Sequence, residues 1–304
     1  MKLLLFSKRT ELESHIEETS PDAKEELLDQ IVLCLDPTTL EEVTAQLNIT
    51  RQDSIDFFVR RHIKHYKALE KAKRVLEHTD HTVVLRQGDL PPLNTYTHLV
   101  SLGGDGTLLD LSFRTDLPIL GVKYLQSSVG HYCSGSIDEF KQAVEMLQDG
   151  TYRTVKKRKV NCEIDGERLN AMNEFVVGRF PGLRIVLQVG DRNDFHTCTN
   201  LIISTREGQT AYYRDAGGEP FLTEDSNSRN LLAYLVNDPI SGKYALPVNG
   251  FAEEIRITSK SNNAVIVPDA LMKQSIVLRY DDEVRFFMGD NYSRLIKPLK
   301  NHAR

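Results

Sequence analysis

The five residues Gly103-Gly104-Asp105-Gly106-Thr107 constrain this chain more than any other feature, because of what flanks them. An apolar run, Leu99-Val100-Ser101-Leu102, precedes them, and an apolar helical start at Leu108 follows. A strand that turns through glycines straight into a helix gathers free backbone N–H groups and the positive end of a helix dipole at one point, which suits a phosphate. Glycine has no Cβ and reaches φ > 0, so the main chain can approach a ligand closely. Asp105 is the unusual member, since a carboxylate repels phosphate. It makes sense if it takes the proton of an attacking hydroxyl or helps to hold Mg2+. The alternative is a glycine-rich turn whose Asp holds it by local hydrogen bonds.

Strands and helices alternate around this loop. Residues 1–7 read as a buried strand. Residues 20–50 read as helical, with Ser20-Pro21 capping one helix and Asp36-Pro37-Thr38-Thr39 breaking it and starting another to about Leu47. Residues 53–78 carry a longer helical pattern. Val83–Leu85, Leu99–Leu102 and Pro118–Val122 are short strands, the first followed by a Gly-Asp-Leu-Pro-Pro loop. This alternation predicts a parallel sheet covered on both faces. Near residue 151 the pattern changes to short β runs: Val160–Ile164, Glu174–Val177, Arg184–Val189, Leu201–Thr205, Glu254–Ile257, Ala264–Val267, Ser275–Leu278 and Glu283–Phe287. The expected architecture is an α/β domain over 1–150 carrying the loop, then a β-rich, sandwich-like domain over 151–285. A tail, 286–304, remains.

Composition narrows the partners. The 38 basic and 43 acidic side chains leave a formal charge of −5. Nothing there makes a case for nucleic acid or an anionic membrane. No stretch approaches the ~18 apolar residues of a membrane span. The opening Met1–Phe6 is too short for a signal peptide and is closed by Ser7-Lys8-Arg9. Cys34, Cys133, Cys162 and Cys198 form no CxxC pair, so reduced thiols in a cytoplasmic protein are expected.

The GGDGT loop resembles those of three kinase groups: NAD kinases, the diacylglycerol and sphingosine lipid kinases and, more loosely, phosphofructokinases. Two further elements separate them. Ala171-Met172-Asn173-Glu174 precedes the β run Phe175-Val176-Val177, as a Leu-Asn-Glu/Asp element does in NAD kinases. Leu201-Ile202-Ile203-Ser204-Thr205-Arg206-Glu207-Gly208-Gln209-Thr210-Ala211-Tyr212, ending in Gly217-Gly218, is similar without a gap to the NAD kinase run Asp-Gly-(three apolar)-Ser-Thr-Pro-Thr-Gly-Ser-Thr-Ala-Tyr and its Gly-Gly. The lipid kinases lack it. The resemblance covers roughly residues 55–290. Val129-Gly130-His131 and Arg61-His62-Ile63-Lys64 look closest to the mitochondrial-type branch.

The resemblance implies a two-domain NAD kinase-like fold and transfer of the γ-phosphoryl of ATP to the 2′-hydroxyl of the adenosine ribose of NAD. It implies that Gly103, Gly104, Gly106 and Thr107 cradle ATP phosphates, with Asp105 as the catalytic group. Asn173, Glu174, Gly208, Thr210, Ala211 and Tyr212 would then meet NAD. Mg2+ would arrive on ATP, with Asp105 the candidate protein ligand. A homodimer or homotetramer is implied, as is a tail that packs back on the first domain.

The chain also departs from the pattern. Thr199-Asn200 replace Asp-Gly, Arg206-Glu207 replace Pro-Thr, Gln209 replaces Ser, and Asp215 stands where Ser is common. Pro268-Asp269-Ala270 resembles the family's Ser-x-Asp-Gly without its glycine. These changes bear on the nicotinamide side, so another dinucleotide acceptor such as NADH stays open. So do a lipid kinase and a non-catalytic NAD(P)-binding sensor. Three features read more plainly. His62, His65, His78 and His81 lack the further ligands of a metal site. Lys156-Lys157-Arg158-Lys159 reads as a solvated turn, with Arg158 the candidate to reach an ATP phosphate. Cys133 and Cys198 read as small core residues.

Overall fold

The structure, a computed structural model, describes residues 1–20, 22–85, 90–125, 130–221, 230–240 and 244–299. The chain divides into two compact units. The first comprises residues 1–111, 117–155 and those from Leu295 on; the second comprises 112–116 and 156–294.

The first unit holds β1 (Lys2–Ser7), α1 (Glu11–Thr19), α2 (Lys24–Ile31), α3 (Pro37–Gln46), α4 (Gln52–Leu76), β2 (Asp80–Leu85), β3 (His98–Gly103), most of α5 (Asp105–Arg114), β4 (Pro118–Lys123), β5 (Gly135–Ser136) and α6 (Phe140–Asp149). Its strands run in the order β2-β1-β3-β4, all parallel, as the alternation predicts. Leu3, Leu5, Val100, Leu102, Leu120 and Val122 face a core that α4 and α6 cover with Tyr66, Leu69, Leu76, Phe140 and Val144. Helices α1 to α4 add their own apolar cluster, including Leu12, Ile16, Ile31, Leu40 and Val59. Helix α1 precedes the stretch that begins at Ser20, and its start is set locally: Thr10 and Glu13 form a reciprocal capping box. The expected cap at Ser20-Pro21 gives way to a helix that begins at Lys24, and Pro21 lies outside the described residues. Asp36 caps α3, with Pro37 in its first turn. Part of the Gly-Asp-Leu-Pro-Pro loop, and Val129, also lie outside the described residues.

The second unit holds β6 (Tyr152–Ile164) from Lys156 on, β7 (Glu167–Ala171), β8 (Glu174–Val189), β9 (Arg192–Ser204), α7 (Tyr212–Asp215), β10 (Leu232–Asn237), β11 (Asn249–Ala252), β12 (Glu254–Ser259), β13 (Ala264–Pro268), β14 (Ile276–Leu278) and β15 (Glu283–Pro298) up to Arg294. Neighbours β11-β10-β9-β8-β12-β15 pair antiparallel, and β13 lies antiparallel to the first part of β8. Phe175, Ile185, Leu201, Ile203, Tyr234, Ile257 and Phe286 lie in one core. Glu174–Val177 and Arg184–Val189, two runs in the sequence, are one strand with a register shift between Gly178 and Leu183. Lys156–Lys159 is not the expected turn, because it lies inside β6. Lys159 is buried, its ammonium 2.6 Å from the Ser112 carbonyl and 3.2 Å from Asp116, and these bonds replace its lost water.

Candidate active site

In the first unit, β3 hands over to α5 through the glycine loop. The Gly104 carbonyl accepts the Thr107 and Leu108 N–H groups at 3.1 and 3.3 Å, closing the first helical turn. None of the loop glycines has φ > 0, so the left-handed freedom expected of them is not used. What matters is the missing side chain. A Cβ on Gly103 would stand 2.2 Å from Thr107 Oγ1, whereas one on Gly106 would meet nothing within 4 Å. Gly103 is therefore needed by packing, and Gly106 faces open space.

Asp105 sits at the first position of α5. Its Oδ2 accepts the His131 N–H at 2.9 Å and its Oδ1 the Tyr132 N–H at 3.0 Å. Both oxygens thus hold the distant segment after β4 rather than the glycine turn itself, unlike the local bonds of the turn reading, and each keeps a further lone pair for a ligand. That segment is also held by Lys297, whose ammonium donates to the Tyr132 and Cys133 carbonyls at 2.7 and 3.0 Å. A cavity of about 440 Å3 opens beside the loop, lined by Gly104, Gly106 and Thr107 and by Lys8, Glu11 and Arg61.

In the second unit the Asn-Glu element forms the corner between β7 and β8. Met172 N–H donates to Asp269 Oδ2 at 2.7 Å, and the Asn173 and Glu174 N–H groups donate to Oδ1 at 2.7 and 3.1 Å. One buried carboxylate therefore shapes the whole corner. The Thr205 N–H bonds the Asn173 carbonyl at 2.8 Å, and the Thr205 hydroxyl bonds the Met172 carbonyl at 2.7 Å. The Gly208 N–H returns to that hydroxyl at 3.1 Å. A Cβ on Gly208 would stand 2.3 Å from the Asn173 carbonyl oxygen, so only glycine lets the two elements close on each other. Asn173, Glu174, Gly208, Thr210, Ala211 and Tyr212 are thereby brought together. Thr210 and Tyr212 present exposed side chains.

Glu174 is buried, and one of its carboxylate oxygens has no partner among the described residues. Burial pushes its carboxyl up to about 8, with the neighbouring Asp269 carboxylate adding to the rise and the Tyr212 and Tyr213 N–H groups opposing it. Burial likewise raises Asp269 to about 6, against its three N–H donors and Lys159.

Arg158 spends its guanidinium on the Gly289 and Met288 carbonyls and on Asn230, at 3.0, 3.3 and 2.7 Å, so a phosphate would have to share it. The departures from the resembled pattern have local partners. Glu207 pairs with Lys157 at 2.7 Å, Arg206 lies over the Phe221 ring, and Gln209 accepts the Phe221 N–H at 2.9 Å. Asn200 is buried opposite Gly178 in β9.

Among the described residues no three His, Cys, Asp or Glu side chains gather as metal ligands. His62 bonds the Thr10 hydroxyl and the Ile31 carbonyl, and His65 bonds Ser7, which makes them core histidines. Burial raises Cys133 to about 11 and Cys162 and Cys198 to about 12. Asp269 was legible in the sequence only as an imperfect motif, because its partners lie almost a hundred residues earlier in the chain.

No family model matches the chain. It is 35% identical over 139 residues to an NAD kinase of Clostridium beijerinckii, covering 42% of this chain and 48% of that one. It is 27% identical over 221 residues to an NAD kinase of Clostridium perfringens, covering 69% and 78%. The fold is shared with the crystal structure of an NAD kinase from Archaeoglobus fulgidus in complex with ATP, at a TM-score of 0.62 and 17% identity over 99% of this chain and 95% of that one. It is shared also with a yeast NADH kinase complexed with NADH, at a TM-score of 0.59 and 14% identity over 99% and 84%.

Proposed function

We propose that the chain is an ATP-dependent NAD kinase that transfers the γ-phosphoryl of ATP to the 2′-hydroxyl of the adenosine ribose of NAD, forming NADP. The observation that carries this reading is the corner of the second unit. There Asp269 shapes Met172-Asn173-Glu174, and Gly208 seats the Thr210-Ala211-Tyr212 run against it. A lipid acceptor would call for an apolar pocket; this corner offers amide, carboxyl and hydroxyl groups beside one aromatic ring, which suits a ribose and a base.

We assign donor binding to residues within 1–150 and acceptor binding to residues within 151–285. Gly104 and Gly106 meet donor phosphates through main-chain N–H groups at the start of α5, where Thr107 lines the same cavity. Asp105 takes the proton of the attacking hydroxyl on the lone pairs its two N–H donors leave free. Asn173, Ala211 and Tyr212 hold the acceptor, with Glu174 fixing the position of Tyr212. Mg2+ bound with the nucleotide would supply charge neutralisation, with Asp105 the protein carboxylate that would assist in holding it. The mitochondrial-type branch is the finer placement that His62 and Gly130-His131 support. Among the described residues no helix is long and apolar enough to cross a membrane. The four free cysteines support a cytoplasmic enzyme, and the resemblance to NAD kinases supports a homo-oligomeric one.

The test is NADP formation from Mg-ATP and NAD by purified protein, read through an NADP-specific dehydrogenase. NADH is run in parallel, because one protein of the same fold is an NADH kinase. Product from neither acceptor, with folded protein, would shift the reading to a dinucleotide sensor.

A further inference from the structure

The helices between β1 and β2 have no role in the reading above, yet they close one side of the cavity beside the phosphate loop. Lys8 follows β1, and its N–H donates to the Leu102 carbonyl at 3.1 Å, one residue before Gly103. Its main chain is thereby fixed against the strand that delivers the loop. Arg61 belongs to α4, and it lines the same 440 Å3 cavity as Lys8, Gly104, Gly106 and Thr107. Both cations converge on a single atom: Lys8 Nζ is 2.8 Å and Arg61 Nη1 3.3 Å from Glu11 Oε1, in the first turn of α1. Lys8 Nζ also stands 5.1 Å from the centre of the Tyr124 ring. Their side chains are 18% and 33% exposed and both line the cavity.

Two cations sharing one carboxylate oxygen leave most of their hydrogen-bonding capacity unused. A polyphosphate offers several anionic oxygens and more charge, and Gly104, Gly106 and Thr107 of the loop line the same space. The other charged groups lining the cavity are Arg9, which pairs with Glu17, and Glu18.

We propose that Lys8 and Arg61 form a cationic wall of the donor site and bind the terminal phosphates of ATP, with Glu11 holding both side chains in place before nucleotide arrives. The ligand rests on the kinase reading. The helical segment is then part of the donor site, and Glu11 is a positioning residue.

The experiment compares full-length wild type with Lys8→Met, Lys8→Arg and Arg61→Ala. It measures KM for Mg-ATP and for NAD, and calorimetric binding of Mg-ATP without NAD. Lys8→Met is expected to raise the KM and Kd for Mg-ATP by about 10- to 100-fold, the loss of one charge-assisted hydrogen bond. KM for NAD should move by less than about twofold, because the lost contact is to the donor alone. Arg61→Ala should shift the same two constants, and Lys8→Arg should restore most of the loss. A wild type that makes NADP while Lys8→Met and Arg61→Ala keep Mg-ATP affinity within about twofold overturns the assignment and leaves the kinase reading standing. A wild type that neither makes NADP nor binds Mg-ATP overturns the reading itself.

Discussion

Both oxygens of Asp105 accept main-chain N–H bonds, so the carboxylate assigned to the acceptor hydroxyl also ties the phosphate loop to His131 and Tyr132. Asp105→Asn keeps the shape, removes the charge and leaves only one accepting oxygen. We expect kcat for NADP formation to fall by about 10²- to 10⁴-fold. One main-chain bond is lost as well, at a cost of about 1 kcal/mol in urea unfolding. Near-wild-type turnover would mean that the carboxylate is only a clamp. Ala270 permits a sharper stability test. It stands where the resembled pattern has glycine, yet it keeps the left-handed conformation, at φ 59, directly after Asp269 at φ 47. A Cβ there is strained by about 1–2 kcal/mol. Ala270→Gly should therefore raise the urea midpoint despite the added freedom of the unfolded chain, and a lower midpoint would show that Ala270 is relaxed in place.

The entrance of β8 carries a pH dependence with a definite sign. Unfolded, Glu174 titrates at its ordinary value of 4.5; folded, burial and Asp269 hold it to about 8. Below 4.5 the two states bind the same proton. As pH rises from there to about 8 the unfolded state gives up its proton first, so stability falls across that window and levels off above it. Asp269, raised to about 6, adds a fall of the same sign at lower pH. Glu174→Gln mimics the neutral form, so its urea midpoint should vary less than that of wild type between about pH 5 and pH 8. Equal slopes would mean that Glu174 is ionised in the folded protein. This element also shows where the sequence was legible. The strand-loop-helix around GGDGT could be read because each part is local: apolar run, glycines, apolar helical start. The corner at Asn173 could be located but not explained, since the carboxylate that shapes it, Asp269, comes from the turn directly after β13. Strand β8 looked like two because Gly178, Pro181 and Gly182 interrupt its alternation, although the strand runs through them with a register shift. The basic run of β6 looked like a turn because nothing nearby in sequence shows that Lys159 will find the Ser112 carbonyl.

At the scale of the whole molecule, the same interruption in β8 bears on assembly. Pairing of β8 with β13 ends at Gly178, pairing with β12 begins at Ile185, and the ladder with β9 breaks between Gly178 and Leu183. Phe180 stands in this gap and is 95% exposed. A single exposed apolar side chain is ordinary on a protein surface. A fully exposed phenyl ring beside main chain outside the strand pairing is a better candidate for burial, because a partner can both cover the ring and bond the strand. Removing that ring from water is worth about 1.5–3 kcal/mol at each copy of the contact, and a formal charge of −5 is too small to oppose association strongly. We therefore expect the protein to be a homodimer or homotetramer by light scattering. Phe180→Ser should shift it towards monomer at low micromolar concentration without changing the far-ultraviolet dichroism. A variant that keeps the wild-type mass at every dilution would remove Phe180 from the interface, and a monomeric wild type would remove the interface altogether.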